Sequence, residues 1–301
     1  MNCTRGFGGA NLCGLLGCFV FGFLLMSQTT VAVRASNQHS HTPLIHPTAV
    51  IEPGAQLGEG VQIGAYSVIG PDVHLGRDNV IGPHVVIEGR TTIGDRNRIY
   101  QFASIGATPQ DDSYNDGQPT ELIIGDDNIV REYVTIQPGM KAERPLTTVG
   151  SGNMFMALSH IAHDCKVGDG TRFANGATLA GHVEVGDYAW ISGLVAIHQF
   201  ARIGAHAFVA GGAMVTQDVP PFCLVQGDRA RLIGLNEVGL KRQGFTSQEV
   251  LNLRRAFKML FRRPGAKEER LAQVRAELGE GRGVDQLLAF METSKRAVMA
   301  R

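Results

Sequence analysis

The chain has 301 residues, enough for a large core and a second small domain. Lys+Arg and Asp+Glu are both 28, so net charge gives no case for nucleic acid as a partner. Many of the 38 glycines follow an aliphatic residue of a regular pattern directly, so low-complexity disorder is the wrong reading of them.

Residues 1–44 contain no Asp or Glu; the first acidic residue is Glu52. Arg5 precedes an apolar run from Leu15 to Met26, and Val33, Arg34, Ala35 and Ser36 form a candidate processing site. The run is too short and too glycine-interrupted for a membrane span. An acid-free, Arg-bearing leader suits organelle import, and the compact apolar run also suits a secretory signal. We read residues 1–40 as a targeting leader (a transit peptide), with the mitochondrion as expected destination. The alternatives are a plastid, or the cytoplasm if the segment is no import signal. Three of the five cysteines (Cys3, Cys13, Cys18) lie in this leader, so no disulfide framework is visible in the body.

From Ile45 an aliphatic residue recurs every sixth position: Ile45, Ile51, Leu57, Ile63, Ile69, Leu75, Ile81, Ile87, Ile93, Ile99 and Ile105. The beat resumes at Val149 and ends at Val215, with only Phe155 and Phe173 departing from the aliphatic rule. A small or short residue sits four positions after each beat, as at Ala49, Val61, Ser67, Asn79, Thr91 and Asn97. This period marks a hexapeptide β-helix, whose apolar residues are buried only when neighbouring turns stack. Many glycines follow the beat directly (Gly58, Gly64, Gly70, Gly76, Gly82, Gly94), a placement expected to serve tight corners through glycine's backbone freedom. The expected β-helix domain spans residues 41–222. Two polar, turn-rich segments, 106–122 and 137–148, interrupt it as loops, and loops of this length in a solenoid are more often functional than accidental.

After Pro220 and Pro221 the beat gives way to a helical period, and residues 223–301 are expected to form an α-helical domain. Thr246 and Glu249 read as a capping box. Val250, Leu253, Phe257, Leu260 and Phe261 mark one apolar face, Pro264 and Gly265 stop that helix, and two more helices are expected over 267–278 and 284–299. The other face carries Arg254, Arg255, Lys258, Arg262 and Arg263, either a solvated surface or a dock for an acidic partner.

Three six-residue segments make one triangular coil, so residues 18 apart should stack about 4.8 Å apart. His163, two after the beat at Ile161, points outward, and His163, Gly181 and Gln199 form one column; Asp164 and His182 form the next. With His160 and His198, four histidines, a carboxylate and an amide gather on one outer edge. Cys165, four after the beat, falls in the slot that takes small core residues and reads as filler. Two chemistries fit the histidines: a general base with a pKa near neutrality, or zinc held by three imidazoles with water as nucleophile.

The segments IYQFASIG (99–106), HIAHDC (160–165), LAGHVEVGDYAWISG (179–193), AIHQFARIGAHAFV (196–209) and GLKRQGF (239–245) resemble the O-acyltransferases that act on UDP-N-acetylglucosamine at the start of lipid A biosynthesis. The likeness runs from about Ile45 to the C-terminus. It implies a homotrimer of left-handed parallel β-helices with clefts between subunits. It also implies transfer of an (R)-3-hydroxyacyl group from acyl carrier protein to the sugar 3-hydroxyl. No cofactor is implied beyond the phosphopantetheine that arrives on the carrier protein, and no metal. His163 falls on the family's base, Asp164 on its orienting partner, and a backbone amide near Gly181 would meet the oxyanion. Asp111, His160, His182, His198, Gln199, Gly211, Asn236 and Arg242 fall on substrate-contacting positions, and the basic helix face becomes a site for acyl carrier protein.

The chain departs from the family pattern at Ser113, where a lysine is common, and at Gln137, Arg229 and Gln243, which puts acyl-chain length and nucleotide affinity in question. The rival readings are a zinc hydratase of the γ-carbonic anhydrase type, which shares the coil, and a non-catalytic β-helix assembly subunit. A chain beginning near His41 is expected to fold and remain active. Purification of that truncated form as an insoluble or inactive protein would contradict the leader reading.

Overall fold

The structure, a computed structural model, describes residues 44–115, 117–140, 145–279 and 281–294. The leader with its processing site, and residues 295–299 of the last expected helix, lie outside the described residues.

From Leu44–Ile45 to Met214–Val215 the chain runs through short strands, most of them two residues long. Every third strand pairs in parallel with the one above it, producing three sheets: A from Leu44–Ile45, B from Val50–Ile51 and C from Gln56–Leu57. The register is the expected one: Val50 pairs with Val68, Gln56 with His74 and Gln62 with Val80. The fold is a left-handed parallel β-helix with a few C-terminal helices. From Ile63 onward its beat residues point inward and are buried, Ile69, Ile87, Ile105, Ile136, Ile161 and Leu179 in sheet B among them. The slot four after the beat is buried as well, which closes each corner from within.

The directly following glycines have a different cause from the one expected. None of Gly58, Gly64, Gly70, Gly76, Gly82 and Gly94 has positive φ. Left-handed corner conformations fall instead on Tyr66, Asp78, His84, Arg96, Asp164, His182 and others. What those glycines provide is room, since a Cβ on Gly58 would lie 2.5 Å from the carbonyl carbon of Gly76 in the coil above. At the corners between sheets C and A the stacked turns approach too closely for a side chain there, and glycine recurs at Gly58, Gly76, Gly94, Gly125, Gly150 and Gly168.

Both sequence insertions leave the coil at the same edge. One separates Ser104–Ile105 of sheet B from Glu121–Ile124 of sheet C, and the other separates Thr135–Ile136 of sheet B from Leu146–Val149 of sheet C. An insertion at a corner leaves the ladders of both flanking strands intact.

Residues 223–235 are not helical. Cys223–Gln226 continues sheet A in parallel, and Arg231–Leu235 turns back antiparallel to it, ending the sheet with a hairpin. The helices begin after this hairpin: α1 (Glu237–Arg242), α2 (Ser247–Arg262), α3 (Lys267–Leu278) and α4 (Val284–Thr293). The capping box is present, with the Glu249 N–H donating to Thr246 Oγ1 at 3.2 Å and the Thr246 N–H to Glu249 Oε2 at 2.6 Å. Val250, Leu253 and Leu260 face Leu271, Leu287 and Leu288 in a second small core, while Phe257 joins the core of the coil.

At the corner between sheets C and A an asparagine ladder runs inside the coil. Asn79 Oδ1 accepts the Asn97 N–H at 2.8 Å and its Nδ2–H at 3.0 Å. Asn97 Oδ1 accepts the same pair from Asn128, and Asn128 Oδ1 accepts the Asn153 N–H. Asn97 is buried, so Asn97→Ala removes the acceptor of two Asn128 donors and one of the two bonds to Asn79 Oδ1. The expected cost is about 2–4 kcal/mol, read as a lowered denaturant midpoint with unchanged slope. A midpoint equal to that of the wild type would show the ladder to be energetically idle.

Candidate active site

The edge between sheets B and C carries the clustered histidines. His160 ends on strand His160–Ile161 of sheet B, and the chain turns the corner through Ala162, His163 and Asp164 before Lys166–Val167 of sheet C. Asp164 takes the left-handed conformation that makes the turn, with φ 56°. The side chain of His163 stands outside the wall but is only 11% exposed, and that of Asp164 only 6%.

The column logic holds in detail. A Cβ on Gly181 would lie 2.5 Å from His163 Cε1 and 2.6 Å from its Nε2, so the imidazole rests over the Gly181 Cα and only glycine leaves room for it. The Gly181 N–H donates to no group among the described residues. In the adjacent column Asp164, His182 and Phe200 follow one another. His182 stacks on Phe200 with ring centroids 4.4 Å apart and meets His163 edge-on at 5.1 Å.

Asp164 is held from two sides. Its Oδ2 accepts from His163 Nδ1 at 2.8 Å, and its Oδ1 accepts the Met140 N–H of the second loop at 3.2 Å. An ionised carboxylate only accepts, so the His163 proton sits on Nδ1 and Nε2 carries the lone pair. Facing that lone pair, Asp111 of the first loop brings Oδ2 to 3.7 Å from Nε2. Two acceptors thus converge on one side of the cleft, each within reach of a separate donor. The geometry calls for a ligand with two donors close together, such as neighbouring hydroxyls of a sugar.

An open cleft of about 600 Å³ lies beside this pair, lined by Asp111, Gln137, His160, His163, His198 and Gln199 among others. His160 shares a 2.6 Å hydrogen bond between Nδ1 and Thr135 Oγ1, and burial, with the neighbouring His163 charge, lowers its pKa, which favours the neutral ring. His198 is exposed, its Nδ1 3.0 Å from the Gln199 carbonyl oxygen. Cys165 is fully buried inside the coil, and burial pushes its thiol up to about 12.

Eight of the expected site residues therefore meet on this edge: Asp111, His160, His163, Asp164, Gly181, His182, His198 and Gln199. Three do not. Gly211 lies on the edge between sheets A and B, next to Gly193. Asn236 caps α1, accepting the Gly239 N–H at 3.0 Å and donating to the His206 carbonyl at 3.0 Å. Arg242, on the same helix, lines a separate cleft of about 480 Å³ with Trp190, Phe208 and Val238. Sequence reasoning missed Thr135 and the Met140 amide. The step from Thr135 to its strand partner His160 is 25 residues, not 18, because the second loop intervenes.

The zinc alternative requires three imidazoles. The ligand atoms of His163, Asp164 and His182 lie within 4.8 Å of one another, but they comprise two imidazoles and one carboxylate, and His160 directs Nδ1 to Thr135. Comparison with known proteins points to acyl transfer. Residues 218–299 match the family model described as UDP-N-acetylglucosamine O-acyltransferase, domain 2, and residues 146–181 match bacterial transferase hexapeptide (six repeats). An acyl-[acyl-carrier-protein]–UDP-N-acetylglucosamine O-acyltransferase of Myxococcus xanthus is 53% identical over 254 residues, covering 84% of this chain and 98% of the relative. The solved UDP-N-acetylglucosamine acyltransferase from Campylobacter jejuni superposes with a TM-score of 0.80 at 42% identity, covering 85% of this chain and 99% of the other. Its counterpart from Arabidopsis gives 0.76 at 36% identity, covering 86% and 100%. On this likeness, sustained through coil and helices alike, the chain belongs to the acyl-[acyl-carrier-protein]–UDP-N-acetylglucosamine O-acyltransferase family.

Proposed function

We infer that the cleft beside His163 is where this acyltransferase moves an (R)-3-hydroxyacyl group from acyl carrier protein to the 3-hydroxyl of UDP-N-acetylglucosamine, the first step of lipid A biosynthesis, with His163 as general base. The observation that carries this assignment is the Asp164–His163 bond at 2.8 Å, which leaves the Nε2 lone pair aimed at a gap opposite Asp111.

An alcohol is a weak nucleophile until a base within hydrogen-bond reach takes its proton. His163 Nε2 removes the proton as the sugar oxygen attacks the thioester carbonyl, and Asp164 stabilises the imidazolium that forms. The tetrahedral oxyanion accepts from the Gly181 N–H, a donor with no other partner in the described protein. Collapse of this intermediate breaks the C–S bond, and the departing pantetheine thiolate takes the proton back from Nε2. No acyl-enzyme is needed. The fully buried Cys165, its thiol pushed up to about 12, has no part in it.

Asp111, His160, His182, His198 and Gln199 bind the nucleotide sugar or the pantetheine arm. Gly211, Asn236 and Arg242 sit on other edges of the prism, so they serve a cleft only by facing a neighbouring copy. A homotrimer with clefts between subunits provides that arrangement. It is supported by the exposed apolar column Tyr66, Phe102, Tyr133, Leu158 and Leu194 on the A–B edge, where Leu194 is 72% exposed. On the helical part, Arg254 is paired with Glu237, Arg262 donates to the Ile233 carbonyl and Arg263 pairs with Glu277. Arg255 and Lys258 carry no ion pair among the described residues and form the core of the carrier-protein dock. The acid-free segment 1–40 serves as the import leader, to the mitochondrion in this reading.

His163→Ala is expected to lower acyl transfer by about 10²–10⁴-fold, the usual contribution of a general base, with the trimer still assembled on size-exclusion chromatography. Cys165→Ala should stay within about twofold of wild type, as a buried bystander does. Transfer from 3-hydroxyacyl carrier protein to UDP-N-acetylglucosamine, followed by mass spectrometry, measures both. Near-normal turnover by the His163 variant would remove the base from the mechanism.

A further inference from the structure

Asp111 lies in a loop outside the regular coil, yet its carboxylate is oriented. Ser113, two residues on, donates twice to one oxygen of Asp111: the Oγ–H to Oδ1 at 2.5 Å and the backbone N–H to the same Oδ1 at 2.9 Å. With Oδ1 taken by both donors, the other oxygen is the one turned to the base, Oδ2 at 3.7 Å from His163 Nε2. These bonds, the hydroxyl first, also hold the Asp111 carboxyl below the ordinary carboxylate range, so it enters the cleft as an acceptor only.

We propose that Ser113 is a positioning residue for acceptor binding: its hydroxyl locks the Asp111 carboxylate in the rotamer that presents Oδ2 to a sugar hydroxyl beside His163 Nε2. The proposal rests on the His163–Asp111 cleft being the acceptor site. Its physical basis is the difference between a fixed and a rotating carboxylate. Both oxygens of a free surface aspartate exchange by rotation, and a ligand that needs one of them in place must first arrest it. Ser113 has arrested it in advance. The backbone N–H alone gives a weaker version of the same restraint, since it does not depend on the side chain at 113. A lysine at this position, which the family resemblance implies, would bring a long side chain and a positive charge, whereas serine brings a short neutral donor held against Asp111 Oδ1. This chain therefore spends position 113 on orienting the carboxylate rather than on adding a positive charge to the cleft.

The test is a double-mutant cycle with steady-state kinetics on UDP-N-acetylglucosamine, the carrier-protein donor held saturating. Ser113→Ala should raise KM for the nucleotide sugar about five- to tenfold, the value of one charge-assisted hydrogen bond at a partly exposed site, and leave kcat within about twofold. Ser113→Thr, which keeps the hydroxyl, should restore the wild-type KM. In an Asp111→Ala background the Ser113→Ala change should add nothing further, because the carboxylate it orients is gone. An equal loss in both backgrounds, or a silent Ser113→Ala in the wild-type background, overturns the positioning role while leaving the acceptor site in place. If Asp111→Ala itself leaves KM and kcat unchanged, the acceptor-site reading falls and the proposal falls with it.

Discussion

The backbone ladder between successive coils is the constraint on which the rest of the molecule depends. Each two-residue strand donates to the strand above it in strict parallel register, and outside the insertions that register is 18 residues. Once it is set, every outward corner residue has its neighbours fixed by arithmetic. His163 must sit beneath position 181, and Asp164 beneath 182. The choice of glycine at 181 is then a steric requirement of the imidazole, and the ring at 182 finds a second ring at 200 on which to stack.

A coil of this kind is rigid but convex, and a convex edge encloses nothing. The two loops correct this. Both depart from the B–C corner, where extra chain leaves the flanking ladders unbroken, and both return a polar group to the His163–Asp164 pair. The first brings Asp111 opposite Nε2; the second brings the Met140 N–H to Asp164. Gly139 makes the second return possible, since a side chain there would overlap the backbone of Pro145 and Leu146. The scaffold thus fixes the His163 imidazole, and the loops fix what it faces and what stands behind it.

Features that repeat were readable from the residues alone. The six-residue beat specified the coil, its threefold multiple placed His163, Gly181 and Gln199 in one column, and Thr246 with Glu249 announced the start of α2. What the sequence hid was whatever breaks or escapes the repeat. The pairing of Thr135 with His160 was invisible because an insertion of unknown depth changes the offset to 25. The approach of Asp111 to His163 depends on a loop path that no period describes. The hairpin over 223–235 was hidden because its strands cap the solenoid and follow no beat. The glycines after the beat were visible but misread: their φ values are ordinary, and close stacking of carbonyls is what requires them.

The same repeat also decides which nucleophile the protein can use. His163 and Cys165 are two residues apart, and in an extended chain that spacing would place them on one face. The left-handed turn at Asp164 reverses this, sending the imidazole outside the wall and the thiol inside it. There the sulfur donates to the Ala180 carbonyl at 3.2 Å, surrounded by aliphatic side chains. Ionising a thiol in that interior means desolvating a charge with no counter-ion, which is why its pKa rises to about 12. A covalent acyl-enzyme through Cys165 is closed off by the fold itself. Of these two side chains only His163 stands outside the wall with a lone pair turned to the cleft, which is the group that the proposed direct transfer from thioester to hydroxyl draws on.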